Sequence, residues 1–155
     1  MVNSGHPVHT VCLETSFGPL YVSGNGTAVC EIGRGPRDET AVPDYLRKAR
    51  AQLEEYLGGT RRSLDFPVDP QGTDFQKAVW KGLQAIPYGK TVTYGQLARA
   101  LGKPGAARAV GAAAGKNPCL LAIPCHRLVA AGGLGGFSAG LPLKRFLLAL
   151  EGIRV

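Results

Sequence analysis

The stretch from Arg61 to Gly72, RRSLDFPVDPQG, separates two different patterns in this chain. It contains two prolines and no hydrophobic periodicity, so we interpret it as a linker. Before it, short apolar runs alternate with turn residues, whereas after it apolar residues recur at helical spacing. The sequence therefore predicts a small α/β domain over residues 1–70 and a mostly helical domain over residues 73–155.

The first domain is predicted to contain a three-stranded antiparallel meander followed by one helix. Between Val8 and Ile32 the extended runs VCLETS, LYVS and AVCEI are separated by glycine, proline and asparagine. Residues 43–57 then carry apolar side chains at helical spacing, and the pair Gly58-Gly59 is suited to end that helix.

In the second domain, two capping boxes mark the starts of helices. Thr73 precedes Gln76 by three positions, and Thr93 precedes Gln96 by the same spacing. The first box begins a helix whose predicted buried face is Phe75, Val79, Leu83 and Ile86.

The second box begins a short helix that is predicted to end at Gly102, and a second helix, GAARAVGAAAGKN, follows a tight turn. Small residues and cations on the second helix are typical of a helix-turn-helix that lies along DNA. An ordinary helical hairpin with its alanines packed inside fits the same pattern.

The overall charge also fits a polyanionic partner. Eighteen Lys and Arg against eleven Asp and Glu give a net charge of +7. The chain shows neither a secretory pattern near its start nor a run long enough to cross a bilayer, so we expect an intracellular protein with no membrane partner and reduced cysteines.

The segment IPCHRLV places Cys125 between an apolar run and two potential cations, His126 and Arg127. Such a cysteine can be a thiolate nucleophile, a metal ligand or a small buried side chain. On an extended chain neighbouring side chains point to opposite faces, so we expect His126 to reach the sulfur through a water.

A last helix from Pro142 to Leu150 ends at Glu151, where a carboxylate opposes the helix dipole and needs a cation or donor. The buried face of this helix is predicted to be Leu143, Phe146, Leu147 and Leu150. Glu151 can therefore orient His126 as the base for Cys125, or it can be a solvated residue at a frayed end. The other cysteines and histidines lack zinc spacing, so we predict no metal and no cofactor.

The second half of the chain resembles the O6-alkylguanine-DNA alkyltransferases, also called methylated-DNA–protein-cysteine methyltransferases. The matching segments, in order, are FQKAVWKGL, IPYGKTVTYGQLA, ARAVGAAAGKNP, IPCHRLV and GFSAGLPLKRFLLALEG. The resemblance implies a ribonuclease-H-like first domain and a winged-helix-like second domain with the helix-turn-helix. It also implies that Cys125 accepts the alkyl group from a flipped guanine.

The resemblance further implies roles for individual residues. The catalytic set is Cys125, His126, Glu151 and the hinge residue Asn117, and the DNA or substrate set is Tyr94, Arg108, Arg127, Leu128, Phe137 and Ser138. Phe137 stands where many members have tyrosine, which makes the pocket more apolar. Asn25 and Asp65 fall near positions where some members have metal ligands.

From these features we predict irreversible, stoichiometric repair of O6-alkylguanine in double-stranded DNA by a monomer, in the cytoplasm or, in a eukaryote, the nucleus. A non-catalytic module that binds DNA lesions or regulates transcription is one alternative. A hydrolase that uses Cys125 and His126 is another, although it leaves Tyr94 and Arg108 without a role.

Overall fold

The computed structural model describes residues 6–154 and divides them into two compact units. Unit 1 comprises the described residues up to Gln71 together with Pro118–Ala122, and unit 2 comprises Gly72–Asn117 and the residues from Ile123 onward. Within the described part of the chain, none of the helices has the length and apolarity that a bilayer crossing demands.

Unit 1 contains the predicted meander. Its strands are β1 (His9–Thr15), β2 (Gly18–Gly24) and β3 (Val29–Arg34), paired antiparallel in that order. Helix α1 (Asp44–Leu57) packs on β1 and β2 through one buried stripe, formed by Leu46, Ala49, Leu53 and Tyr56.

The segment Pro118–Ala122 differs from the sequence prediction, which placed it in the second domain. Here it lies along β3, where the Ile32 N–H donates to the Pro118 carbonyl at 2.8 Å and the Leu120 N–H donates to the Ile32 carbonyl at 3.1 Å. These hydrogen bonds pair backbone N–H and C=O groups at the edge of β3, which explains why the segment belongs to unit 1.

The predicted linker is also packed against unit 1. Val29 donates to the Pro67 carbonyl at 2.9 Å and accepts from Asp69 N–H at 2.7 Å. The Asn25 amide donates to Asp69 at 3.0 Å, and the Asp65 N–H donates to Gln52 at 3.0 Å. Across residues 6–154, no three His, Cys, Asp or Glu side chains form a group that could hold a metal ion.

Unit 2 is mostly helical. Its helices are α2 (Asp74–Gln84), α3 (Tyr94–Ala100), α4 (Ala107–Gly115) and α5 (Leu141–Leu150), with a 3₁₀ turn at Cys125–Arg127. Both capping boxes are confirmed: in each, the threonine hydroxyl accepts from the glutamine N–H, and the glutamine side chain accepts from the threonine N–H. The short parallel pair β4 (Val92–Thr93) and β5 (Leu128–Val129) was not predicted.

Helices α3 and α4 pack on each other, and α4 also packs on α2. Their inward residues, Leu97, Ala98, Val110 and Ala113, are buried, whereas Arg108 near the start of α4 is exposed. The indole N–H of the buried Trp80 on α2 donates to the Ala113 carbonyl at 2.9 Å. This bond fixes the last turn of α4 against α2.

Candidate active site

A cavity of about 360 Å³ opens in unit 2 beside Cys125. Four parts of unit 2 line it: the tyrosine that begins α3, small residues of α4, the segment that begins with Cys125, and the loop before α5. The lining residues are Tyr94, Gly111, Ala114, Gly115, Cys125, Leu128, Gly136, Phe137 and Ser138. Because α4 presents only glycine and alanine here, its backbone forms the wall and leaves room for a flat ligand.

Tyr94 crosses the cavity from α3 to the loop on the other side. Its hydroxyl accepts a hydrogen bond from the Gly136 N–H at 3.1 Å. The neighbouring Gly135 has φ +73, and a Cβ at that position would lie 2.5 Å from the Tyr94 oxygen. The loop therefore needs glycine at 135 both for its left-handed backbone and for the close approach of the tyrosine.

Cys125 begins the 3₁₀ turn directly after Pro124, and it is 6% exposed. The Asn117 amide donates to its sulfur at 3.1 Å and also to the Ile123 carbonyl at 2.8 Å. Burial raises the pKa of the Cys125 thiol, while the Asn117 hydrogen bond and the Lys144 charge lower that pKa. The site thus holds a neutral thiol at rest beside groups that stabilise its thiolate.

Cys119, six positions earlier, has a different environment in unit 1. Burial raises its pKa far above the usual range, and the nearby Cys30, Glu31 and Asp69 raise that pKa further. All four cysteines are free thiols. Of these two buried cysteines, Cys125 is the one with neighbouring groups that lower the thiol pKa against the effect of burial.

The turn at Cys125 replaces the extended conformation that the sequence suggested, and it places His126 against Glu151. The His126 Nε2 lies 2.7 Å from the Glu151 Oε2, and both side chains are almost fully buried. Burial lowers the pKa of His126, although Glu151 raises it. Since the ionised carboxylate can only accept, Nε2 carries the hydrogen and Nδ1 is the basic nitrogen of the neutral ring.

Arg127, which the resemblance places in the DNA or substrate set, lies against the buried carboxylate. Its Nε and Nη2 donate to the two carboxylate oxygens of Glu151, each at 2.9 Å, and its Nη1 donates to the Ile86 carbonyl at 2.7 Å. The residue is 8% exposed. These hydrogen bonds hold the guanidinium against the buried carboxylate, so it faces neither solvent nor the cavity.

Sequence reasoning missed Lys144, which is fully buried on α5. Its ammonium donates to the carbonyls of Leu128 at 2.7 Å, Leu134 at 2.5 Å and Gly136 at 2.9 Å, so it holds the loop that forms one wall of the cavity. Burial lowers the pKa of Lys144 to about 8, while the neighbouring Cys125 raises it.

A signal for this lysine existed in the sequence. Position 144 lies one residue after Leu143 and three before Leu147, on the stripe that the helical period turns inward. The predicted members Phe146 and Leu150 are instead only half-buried, and Lys144 and Leu148 take buried positions.

The structure brings most of the predicted site residues together. Cys125, Tyr94, Leu128, Phe137 and Ser138 line the cavity, and Asn117 contacts the sulfur. The two residues that follow Cys125 in the sequence, His126 and Arg127, form a buried cluster with Glu151. Arg108 does not line the cavity, but it lies on the face of α4 that carries Gly111 and Gly115.

A helix-turn-helix arrangement whose second helix forms the wall of a cysteine-containing cavity defines a class of DNA-binding protein with a reactive thiol. Residues 74–153 match the family model described as 6-O-methylguanine DNA methyltransferase, DNA binding domain. A methylated-DNA–protein-cysteine methyltransferase of Methanosarcina acetivorans is 42% identical over 149 residues, which cover 90% of this chain and 95% of that protein.

Solved structures give the same result over nearly the whole chain. The crystal structure of Mycobacterium tuberculosis OGT in complex with DNA has a TM-score of 0.85 and 40% identity, and the match covers 94% of this chain and 93% of that one. An O6-methylguanine DNA methyltransferase from Methanococcus jannaschii has a TM-score of 0.66 and 27% identity, over 94% and 95% of the two chains. This chain belongs to the methylated-DNA–protein-cysteine methyltransferase family, which confirms the resemblance read from its sequence.

Proposed function

We propose that this protein repairs DNA by moving the alkyl group from O6 of an alkylated guanine to the sulfur of Cys125. The observation that carries the proposal is the cavity of about 360 Å³, because it is large enough for a flipped base and has the Cys125 sulfur in its lining. The sulfur attacks the alkyl carbon, a carbon–sulfur bond forms, and the bond from carbon to O6 breaks. The guanine keeps the bonding electrons and receives the proton that the thiol gives up.

The side chains around the sulfur support this chemistry. His126 is neutral with Nε2 hydrogen-bonded to Glu151, so its Nδ1 can take the thiol proton, through a water, as the reaction begins. Glu151 holds that tautomer, and Arg127 keeps the carboxylate ionised. The Asn117 amide donates to the sulfur and stabilises its developing negative charge.

The product is a thioether, which has no water-labile bond comparable to that of an acyl-enzyme. The reaction is therefore expected to consume one protein molecule for each alkyl group, without a cofactor.

DNA binding is assigned to residues 73–155 and the supporting domain to residues 1–70. Arg108, exposed near the start of α4, enters the space that the flipped guanine leaves, while Tyr94 promotes the rotation of that nucleotide. Leu128, Phe137 and Ser138 then surround the base.

The three-stranded sheet with α1 supports a ribonuclease-H-like first domain, and α3 with α4 supports a winged-helix-like second domain. Four free cysteines support a reducing compartment, the cytoplasm or, in a eukaryote, the nucleus, where the protein acts as a monomer on double-stranded DNA that contains O6-alkylguanine.

The test is a mass spectrum of the protein after incubation with excess duplex that contains O6-methylguanine. We expect one methyl group per protein molecule, located on the peptide that contains Cys125, after which repair stops. Cys125→Ser should bind the duplex but take up no methyl group, because phosphate contacts supply most of the affinity.

The matched control is Cys119→Ser, which removes another buried thiol and should still accept a methyl group if it folds. Repair that continues beyond one lesion per molecule would instead indicate a hydrolase. Binding without any methyl group on the protein would indicate a lesion-binding module.

A further inference from the structure

Glu151 is an anion in an unfavourable position. It follows the last residue of α5, where the helix dipole is negative, and its side chain is fully buried. Its carboxylate can be retained there only if N–H groups surround it. Besides His126 and the two N–H groups of Arg127, the carboxylate accepts a hydrogen bond from the backbone N–H of Gly89, at 3.0 Å.

That fourth donor belongs to the turn Ile86–Gly89, which lies between α2 and β4. Two further hydrogen bonds connect this turn to the groups around Glu151. The Ile86 carbonyl accepts from Arg127 at 2.7 Å, and the Tyr88 hydroxyl donates to the Leu150 carbonyl at 3.1 Å. The turn thus contacts the carboxylate, its guanidinium partner and the residue before the carboxylate.

The backbone conformation at position 89 favours glycine. Its φ is +79, in the left-handed region where a side chain is strained, and a Cβ there would lie 3.4 Å from the Glu151 carbonyl oxygen. In this left-handed conformation the Gly89 N–H donates to Oε1 at 3.0 Å, and the 3.4 Å to the carbonyl oxygen is an ordinary contact distance, so the backbone conformation is what favours glycine here. Oε1 thereby accepts from the Gly89 N–H and the Arg127 Nε, while Oε2 accepts from the Arg127 Nη2 and contacts His126.

We propose that the turn Ile86–Gly89 is a positioning element for alkyl transfer. Its Gly89 N–H fixes the rotation of the Glu151 carboxylate, and that rotation keeps His126 in the tautomer whose Nδ1 receives the thiol proton. This role rests on the proposed function of Cys125. In this role, the backbone of the turn and Tyr88 both influence the proton affinity of the site that contains Cys125 and His126.

The principal test compares Gly89→Ala with Gly18→Ala. Gly18 has φ +94 in the β1–β2 hairpin of unit 1, and a Cβ there meets nothing within 4 Å, so both substitutions introduce left-handed strain but only one lies beside Glu151. The measured quantity is the second-order rate constant for alkylation of Cys125 by free O6-benzylguanine, across about pH 6 to 9.

We expect the pH–rate profile of Gly89→Ala to move upward by about one pH unit, which lowers the rate near neutral pH about tenfold and restores it in alkali. The affinity for duplex DNA should remain that of the parent protein, and Gly18→Ala should keep the parent profile. A folded Gly89→Ala protein whose profile coincides with that of Gly18→Ala would overturn the proposal.

If Gly89→Ala does not fold, a second pair of variants decides the question. Tyr88→Phe removes the hydroxyl that reaches Leu150, and Tyr45→Phe removes a hydroxyl that accepts from the Gly26 N–H in unit 1 at 2.9 Å. We expect a smaller upward shift of the profile in Tyr88→Phe alone, and identical profiles would contradict the proposed role. Failure of the parent protein to become alkylated on Cys125 would overturn the proposed function itself, whereas normal alkylation with unshifted variants would overturn only the role of the turn.

Discussion

Replacing Arg127 with methionine tests whether this residue supports the buried carboxylate or contacts DNA. Methionine keeps the apolar stem of the side chain and removes the guanidinium. In the structure this change deletes both hydrogen bonds to the Glu151 carboxylate and the one to the Ile86 carbonyl. Glu151 would then be a buried anion that keeps its contacts with His126 and the Gly89 N–H but has lost its guanidinium partner.

The expected loss of stability is large. Removing one partner of a buried ion pair costs about 3–5 kcal/mol, because the other charge stays buried without compensation. In a chain of this length each kcal/mol lowers Tm by about 2–4 °C, so the expected decrease is roughly 6–20 °C. The nearby Arg127 charge lowers the pKa of His126, so its removal should also raise that pKa.

The assay is urea and thermal unfolding of Arg127→Met beside Arg145→Met, which removes an exposed arginine of α5. The control should change the free energy of unfolding by no more than about 0.5 kcal/mol. A double-mutant cycle with Glu151→Gln should show strong coupling, since the two side chains are in direct contact. Unchanged stability, together with a salt slope of DNA binding reduced by about one, would refute the structural role and restore the DNA contact that the sequence suggested.

Two further substitutions test the roles assigned to other site residues. Arg108→Ala should weaken repair of duplex DNA far more than alkylation by free O6-benzylguanine, because a gap in the base stack forms only when a base flips out of a duplex. Equal losses in the two rate measurements would place Arg108 in the chemistry or the fold. Glu151→Gln should retain duplex binding and slow alkyl transfer with a shifted pH–rate profile, since an amide cannot hold His126 as the carboxylate does. An unchanged rate across neutral pH would mean that Glu151 is only a residue at a helix end.

Local features of the fold were predictable from the sequence. Each capping box needs only a hydroxyl and a glutamine three residues apart, so Thr73 and Thr93 mark helix starts without knowledge of the rest of the chain. The meander likewise depends on short-range alternation and turn residues. The pairing of Pro118–Ala122 with β3 was not predicted, because it joins positions far apart in the sequence whose residues carry no mutual signal.

The contacts of the active site were also predictable only in part. The contact between His126 and Glu151 could be anticipated, because a carboxylate at a helix end needs a donor and an imidazole next to a reactive thiol needs an orienting group. The contact of Arg127 with Glu151 was not predicted, because a cation beside a nucleophile in a basic protein also fits a DNA or substrate contact. Its burial depends on packing that adjacency cannot reveal. Lys144 was missed because the buried stripe of a helix usually consists of apolar residues and lysine is rarely buried. Its helical spacing from Leu143 and Leu147 nevertheless placed it on that stripe.

The bond between Trp80 and α4 has a practical consequence for spectroscopy. Trp80 is the single tryptophan of the chain, so all indole emission originates in unit 2. Its indole is bonded to α4, and α4 ends shortly before Asn117, whose amide donates to the Cys125 sulfur. Fluorescence excited at the red edge of the indole band therefore follows the melting of one unit, and far-ultraviolet circular dichroism follows both. Coincident curves from the two optical probes would establish that the units unfold as one cooperative body, and separated curves would give each unit its own transition.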